Sequence, residues 1–209
     1  MIKAILFDLD GTIIDTNELI LTSFNYVLNN YLGLNIRNEE IVETFGIPLK
    51  DVMDHYAKER AEELVDEYIR YSLESHDKYI KSYNHVEEGL LKLKNKGFKL
   101  AIVTSKRRGT ALRGLNCFDL EKYFDVIITP EDSKKHKPDG EPVLKACEVL
   151  KVKPEETIMV GDSHNDILCG KNAGSKTCLV NYTALNVEKI KTHNPDFIID
   201  KIEDLIELI

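Results

Sequence analysis

The chain is expected to form an α/β domain built on a parallel sheet, with a small all-helical unit inserted after the first strand. Three observations carry that expectation. Short, almost wholly apolar runs recur at 2–7, 99–103, 126–129 and 157–160, with a weaker one at 196–200. Such runs suit strands covered on both faces. Helical patterns lie between them, and alternating strand and helix predicts a parallel sheet with right-handed crossovers. The alternation breaks once, from about Asp15 to Tyr83, where only helical periodicity is found.

Taken in order, the first strand ends in Asp8-Leu-Asp-Gly. In the insertion, Ile20, Phe24, Val27, Leu28 and Tyr31 fall on one face of a helix that Gly33 can close. Pro48 fits the first turn of another helix carrying Leu49, Val52, Met53 and Tyr56. A third helical segment runs from about 59 to 81. Seven of the nine tyrosines lie between Asp15 and Tyr83, where they are expected to pack the helices with their hydroxyls reaching water. Beyond it, helices are expected at 86–96, 109–115, 141–150 and 166–173, with Gly97 and Gly174 placed to stop the first and last. The resulting division is a core of 1–14 and 84–209 and a helical cap of 15–83.

The 209 residues are 43% hydrophobic and 31% charged, enough apolar material for a soluble core. A formal charge of -8 argues against a surface that grips nucleic acid or anionic lipid. No apolar run is long enough to span a bilayer, and the first run is too short for a signal-peptide core, so a cytoplasmic location is the default expectation. Cys117, Cys147, Cys169 and Cys178 are too widely spaced for a zinc site and read as reduced, mostly buried thiols. Nothing indicates a protein partner.

In open α/β sheets ligands gather at the carboxyl ends of the strands. Those ends here read Asp8-Leu-Asp10-Gly11-Thr12, Thr104-Ser105, a loop leading to Lys137-Pro138, and Gly161-Asp162-Ser-His-Asn-Asp166. Four carboxylates meeting at one mouth would repel one another unless a cation joined them, and an all-oxygen set suits Mg²⁺. An acidic pair in a loop is common; an acidic or basic group at strand end after strand end is not.

In these motifs, from Asp8-Leu-Asp-Gly-Thr-Ile-Ile-Asp15 through Val103-Thr-Ser105 and Lys137-Pro-Asp139 to Gly161–Asp166, the chain resembles the haloacid dehalogenase superfamily of phosphotransferases. The resemblance implies a Rossmann-like core, a helical cap, Mg²⁺ and an aspartyl-phosphate intermediate. By that likeness Asp8 is the nucleophile, and Asp10 is the acid and then the base. Asp8, the Asp10 carbonyl and Asp162 are then metal ligands, and Asp166 is a ligand or an orienter of Lys137 or of metal-bound water. Thr104, Ser105, Lys106 and Lys137 bind phosphate with Gly11 and Thr12, helped by amides at a helix start. Gly11 would look the same as a plain turn glycine. Asp139 and His164 receive no role. Gly140 stands where many relatives have proline, which is expected to loosen the loop.

Within the superfamily the likeness is to the phosphoglycolate phosphatase group, in particular to pyrophosphatases linked to dephosphorylation of the carrier protein HPr. It rests on Asp15-Thr-Asn-Glu-Leu-Ile20 with Ser23-Phe24, on Thr44-Phe-Gly-Ile-Pro-Leu49 and on Lys171-Asn-Ala-Gly174. Asn17 and Glu18 serve equally as a helix start, and Gly46 with Pro48 equally as helix punctuation. Pyrophosphate is the leading substrate, phosphoglycolate or another small phosphomonoester the alternative. A hexose-phosphate mutase and a catalytically idle binding module stay open behind them. Residues 15–83 carry a charge of -7 and the rest only -1. Lys106, Arg107, Arg108, Lys134, Lys135 and Lys137 are expected to form a basic rim at the binding end. The cap is expected to open and close over the site.

Overall fold

The computed structural model describes residues 1–209 and contains eight strands: β1 (Ala4–Phe7), β2 (Ile14–Asp15), β3 (Lys81–Ser82), β4 (Lys99–Val103), β5 (Val126–Ile128), β6 (Thr157–Gly161), β7 (Lys176–Val180) and β8 (Phe197–Ile199). Six of them make one sheet in the order β5-β4-β1-β6-β7-β8, every neighbouring pair parallel. The chain fills one side of β1 first and then crosses to the other. The order therefore reverses between β1 and β6, which is where doubly wound sheets open a crevice for a ligand.

The chain divides into two compact units, Met1–Asp15 with Lys81–Ile209, and Thr16–Ile80. The helical unit, Thr16–Ile80, contains α1 (Asn17–Asn25), α2 (Asn38–Val42), α3 (Leu49–Ala57) and α4 (Ala61–Tyr79) around Phe24, Val27, Leu28, Ile41, Met53 and Leu64. Between α1 and α2 the chain runs as a π-helical turn, Tyr26–Tyr31, with Leu32 N–H donating to the Val27 carbonyl. That wider turn rotates the side chains beyond it relative to a regular α-helix. Val27 and Leu28 stay buried, but Tyr31, expected on the same face, is 40% exposed and donates to Glu63 at 2.7 Å. Pro48 caps α3 from just outside rather than sitting in its first turn.

In the core unit the strands are connected by α5 (Val86–Asn95), α6 (Arg108–Cys117), α7 (Glu141–Leu150) and α8 (His164–Ala173), followed by the short α9 (Val187–Lys191) and α10 (Leu205–Leu208). All four residues of β1 are fully buried, as are Leu100 to Val103 of β4 and Ile158 to Val160 of β6. Each Leu, Ile or Val so buried contributes about 1.5–3 kcal/mol, which is why short apolar runs suffice to specify central strands. One face of these strands packs with Val143, Ala146, Cys147 and Leu150 of α7 in a single cluster.

The core departs from expectation in several places. β7 was not expected: its apolar run is only Cys178-Leu-Val behind a lysine and a threonine, and its burial comes from lying between β6 and β8. The ends of the stretch expected to lack strands, Ile14–Asp15 and Lys81–Ser82, pair as a short antiparallel ribbon within the core unit. Tyr83 also belongs to the core unit, packed with Tyr182 at 4.7 Å between ring centroids. Gly97 and Gly174 have positive φ (86° and 80°) just past their helices, as expected of helix stops. Gly140 is not a slack point: a Cβ there would meet the Ala173 nitrogen at 2.6 Å, so the residue marks a close approach of two backbones. Three of the four free cysteines are buried and Cys117 is exposed. No helix is long and apolar enough to cross a membrane.

Candidate active site

Asp8 follows β1 directly, its amide bonded to the Val160 carbonyl of β6 at 2.8 Å, so the two central strands fix it from both sides. It is 8% exposed. Asp162 follows β6, and Asp166 lies in the first turn of α8. Ser163-His-Asn-Asp166 is a capping box, in which the Ser163 amide and hydroxyl donate to Asp166 Oδ2 at 3.1 and 2.6 Å. The other Asp166 oxygen accepts from Lys137 Nζ at 2.6 Å. With both oxygens engaged, Asp166 holds the lysine and caps the helix.

Lys137 comes from the long loop after β5. That loop is ordered by Glu141, which accepts from the amides of Lys134 (2.8 Å) and Lys135 (3.1 Å), and by Asp139, which accepts from the Glu141 amide at 2.9 Å. The Lys137–Pro138 peptide is cis. The ammonium donates to Asp8 Oδ1 at 2.7 Å as well as to Asp166, and its side chain is only 4% exposed. Thr104 and Ser105, after β4, line a narrow crevice together with Lys137 and Ser133. Thr104 Oγ1 accepts from the Lys106 amide at 3.1 Å. The helix beyond starts at Arg108, and the Arg108 amide is already directed at the Glu131 carboxylate. The expected helix-start amides are therefore partly committed within the protein.

Asp10 is paired with Lys106, Nζ to Oδ1 2.7 Å, beside the cluster. Gly11 has φ 78°, and a Cβ there would lie 2.3 Å from Asp162 Oδ2. It is thus more than a turn glycine: the approach of Asp162 needs a bare Cα. Thr12 is wholly buried and offers a ligand no surface; its carbonyl accepts from the Tyr182 hydroxyl at 2.9 Å. The basic rim is thinner than the residue count suggests. Lys106, Arg108, Lys135 and Lys137 are all paired with aspartates, leaving Arg107 and Lys134 without an ion pair. His164 stacks on His193, centroids 5.7 Å apart.

Asp8, Asp162 and Asp166 each bring a carboxylate oxygen within 4.8 Å of the others, opposed by the one ammonium of Lys137. Burial pushes the Asp8 carboxyl up to about 7; the Lys137 charge opposes the rise and Asp166 adds to it. Burial likewise drives Asp162 well above the carboxylate range, helped by Asp166 and Asp8. Lys137 is held above its ordinary value: burial alone would lower it, but Asp166 and Asp8 outweigh that. Fully ionised, the three carboxylates would carry more negative charge than Lys137 neutralises, and with oxygen donors only such a set could hold a hard divalent cation.

Sequence reasoning missed two residues here, Tyr182 and Thr183, in the loop after β7. Thr183 Oγ1 donates to Asp162 Oδ2 at 3.0 Å. The strand-end rule that found the other residues applies to this loop too, but only once β7 is recognised as a strand.

A doubly wound parallel sheet with an acid-rich site at the point where its strand order reverses defines a class, the Rossmann-like α/β enzymes that act at their strand ends. Residues 5–180 match the model of the haloacid dehalogenase-like hydrolases. The chain belongs to that family, and it is an enzyme of the phosphatase kind. It is 51% identical over 209 residues to a Clostridium perfringens protein named "Putative pyrophosphatase PpaX", covering 100% of this chain and 98% of that one. A Bacillus mycoides protein named pyrophosphatase PpaX is 40% identical over 208 residues, covering 100% and 97%. The crystal structure of a predicted phosphoglycolate phosphatase from Haemophilus somnus superposes with a TM-score of 0.88 at 25% identity, covering 99% of this chain and 97% of that one.

Proposed function

We propose that this protein is a Mg²⁺-dependent phosphohydrolase that works through a phosphorylated Asp8, with inorganic pyrophosphate as its leading substrate. The observation that carries the reading is the buried Asp8–Lys137–Asp166 arrangement beside Asp162, at the switch point of the sheet. Asp8 and Asp162 would hold the cation together with the Asp10 carbonyl, and the cation would neutralise phosphate charge that the cluster alone repels.

The chain's own residues then divide the chemistry among them. An Asp8 carboxylate oxygen attacks phosphorus, and the bond from phosphorus to the leaving oxygen breaks. Asp10, as the acid, gives its proton to that oxygen, which for pyrophosphate departs as orthophosphate. Water then attacks the aspartyl-phosphate while Asp10 takes a proton from it. The phosphorus–Asp8 bond breaks, orthophosphate leaves and Asp8 is restored. Lys137 and Thr104 neutralise and position the phosphoryl oxygens, because transfer of this group needs placement and charge more than covalent help. Lys106 keeps the Asp10 carboxylate in place through the 2.7 Å contact.

The choice of pyrophosphate rests on the names of full-length relatives at 40–51% identity. A panel of pyrophosphate, phosphoglycolate and hexose phosphates, compared by kcat/KM with Mg²⁺ present, tests it. Pyrophosphate is expected to lead the panel, and Asp10→Asn to lower kcat by about 10²–10⁴ with little change in fold. Isomerisation of a hexose phosphate without net phosphate release would overturn the assignment.

A further inference from the structure

We infer that Thr183, which no sequence motif singles out, is a positioning residue that fixes Asp162 for metal binding. The inference rests on the reading of Asp162 as a metal ligand. Lys137 serves Asp8 and Asp166 but gives Asp162 no hydrogen bond; the one donor to Asp162 is the Thr183 hydroxyl, at 3.0 Å. The direction of that bond is set locally. The Leu185 amide donates to Thr183 Oγ1 at 3.0 Å, so the hydroxyl is an acceptor on that side and its single proton is left for Asp162 Oδ2.

The oxygen that Thr183 holds is also the one that Gly11 faces, since a Cβ on Gly11 would fall 2.3 Å from Oδ2. One carboxylate oxygen is therefore confined between a backbone and a hydroxyl. The torsion of Asp162 is set, and its other oxygen is left for a ligand.

The loop that carries Thr183 is itself anchored. The Asn181 amide donates to the Ile199 carbonyl at 2.8 Å, and the Asn181 side chain donates to Asp200 at 2.9 Å. The next residue, Tyr182, reaches the Thr12 carbonyl of the Asp8–Ile14 turn at 2.9 Å, with its ring 4.7 Å from those of both Tyr83 and His85. Two successive side chains of one loop thus hold the turn that carries Asp8 and Asp10 and the carboxylate of Asp162. Partners that orient a ligand typically govern metal affinity by 10–100-fold.

Mg²⁺ affinity of the full-length protein, measured calorimetrically without substrate, tests this. Thr183→Val keeps the branched shape and loses the proton; it is expected to weaken Mg²⁺ binding by about tenfold or more. Thr183→Ser keeps the hydroxyl and is expected to bind Mg²⁺ within about twofold of wild type, restoring what valine loses. Melting temperature in EDTA reads folding separately, and Thr183→Ala replaces the valine variant if that one fails to fold. Asp162→Asn is expected to abolish binding. Wild-type affinity in Thr183→Val, or equal weakening in the valine and serine variants, overturns the role of the hydroxyl while leaving the metal site standing. A wild-type protein that binds no Mg²⁺ overturns the metal reading, and this inference with it.

Discussion

Replacing the proposed nucleophile should make the metal-free protein more stable, and the gain should depend on pH. Asp8 is buried and its carboxyl lies at about 7, against 3.8 for the unperturbed group. A group whose folded pKa is raised favours the folded state while protonated. That stability is fully present below pH 3.8 and is lost as pH rises through about 7. At 1.36 kcal/mol per unit, the full loss is about 4 kcal/mol, of which roughly 3 kcal/mol accrues between pH 5 and 8. Asp8→Asn keeps the shape and cannot ionise, so it escapes this loss. It gives up a charge-assisted hydrogen bond from Lys137, but that lysine retains Asp166 at 2.6 Å. The stability of Asp8→Asn relative to wild type should therefore rise by roughly 3 kcal/mol from pH 5 to pH 8, or about 6–10 °C in Tm for a chain of this size. Thermal or urea unfolding in EDTA at the two pH values measures it. Phosphate release by the variant should be abolished at both. A stability difference between variant and wild type that stays flat across this range would refute the account of Asp8 as a carboxylate burdened by burial.

Two further perturbations probe the neighbours of Asp8. Lys137→Met removes the only cation from between Asp8 and Asp166; it should cost about 3–5 kcal/mol at pH 8 and less at pH 5, where Asp8 can take up a proton, as urea unfolding in EDTA would show. Equal destabilisation at both pH values would mean that lost packing, not unpaired charge, is what the variant suffers. Gly11→Ala places a Cβ 2.3 Å from Asp162 Oδ2 at a φ of 78°, so it should displace that carboxylate and lower kcat/KM for pyrophosphate by at least about 10². Full activity in that variant would show that the Asp162 position is not critical.

Much of this molecule is legible in one dimension, for identifiable reasons. Central strands of a parallel sheet are covered on both faces, so β1, β4 and β6 are written as continuous apolar runs and stand out. The residues at the ends of those runs are brought together by topology, which is why Asp8, Thr104 and Asp162 could be nominated without coordinates. The capping box Ser163–Asp166 is local and equally readable. β7 is different, because half of what buries it is the neighbouring β8 rather than its own composition. With β7 unread, the loop that holds Tyr182 and Thr183 carries no sequence signal.

The amino-acid sequence by itself determined the α/β class, the place of the helical insertion and the identity of the acidic and basic groups at the strand ends. These depend on hydrophobic periodicity and on where each apolar run stops along the chain, both local. Only the tertiary structure decided how those groups share their charges. Lys137 bridges Asp8 and Asp166 across 129 and 29 residues of chain, Lys106 goes to Asp10 across 96, and Asp162 is served by a hydroxyl 21 residues on. Pairings at such separations depend on which strands lie side by side and how deeply the loops are buried. Burial then sets the cost of each charge, and no composition or spacing records it.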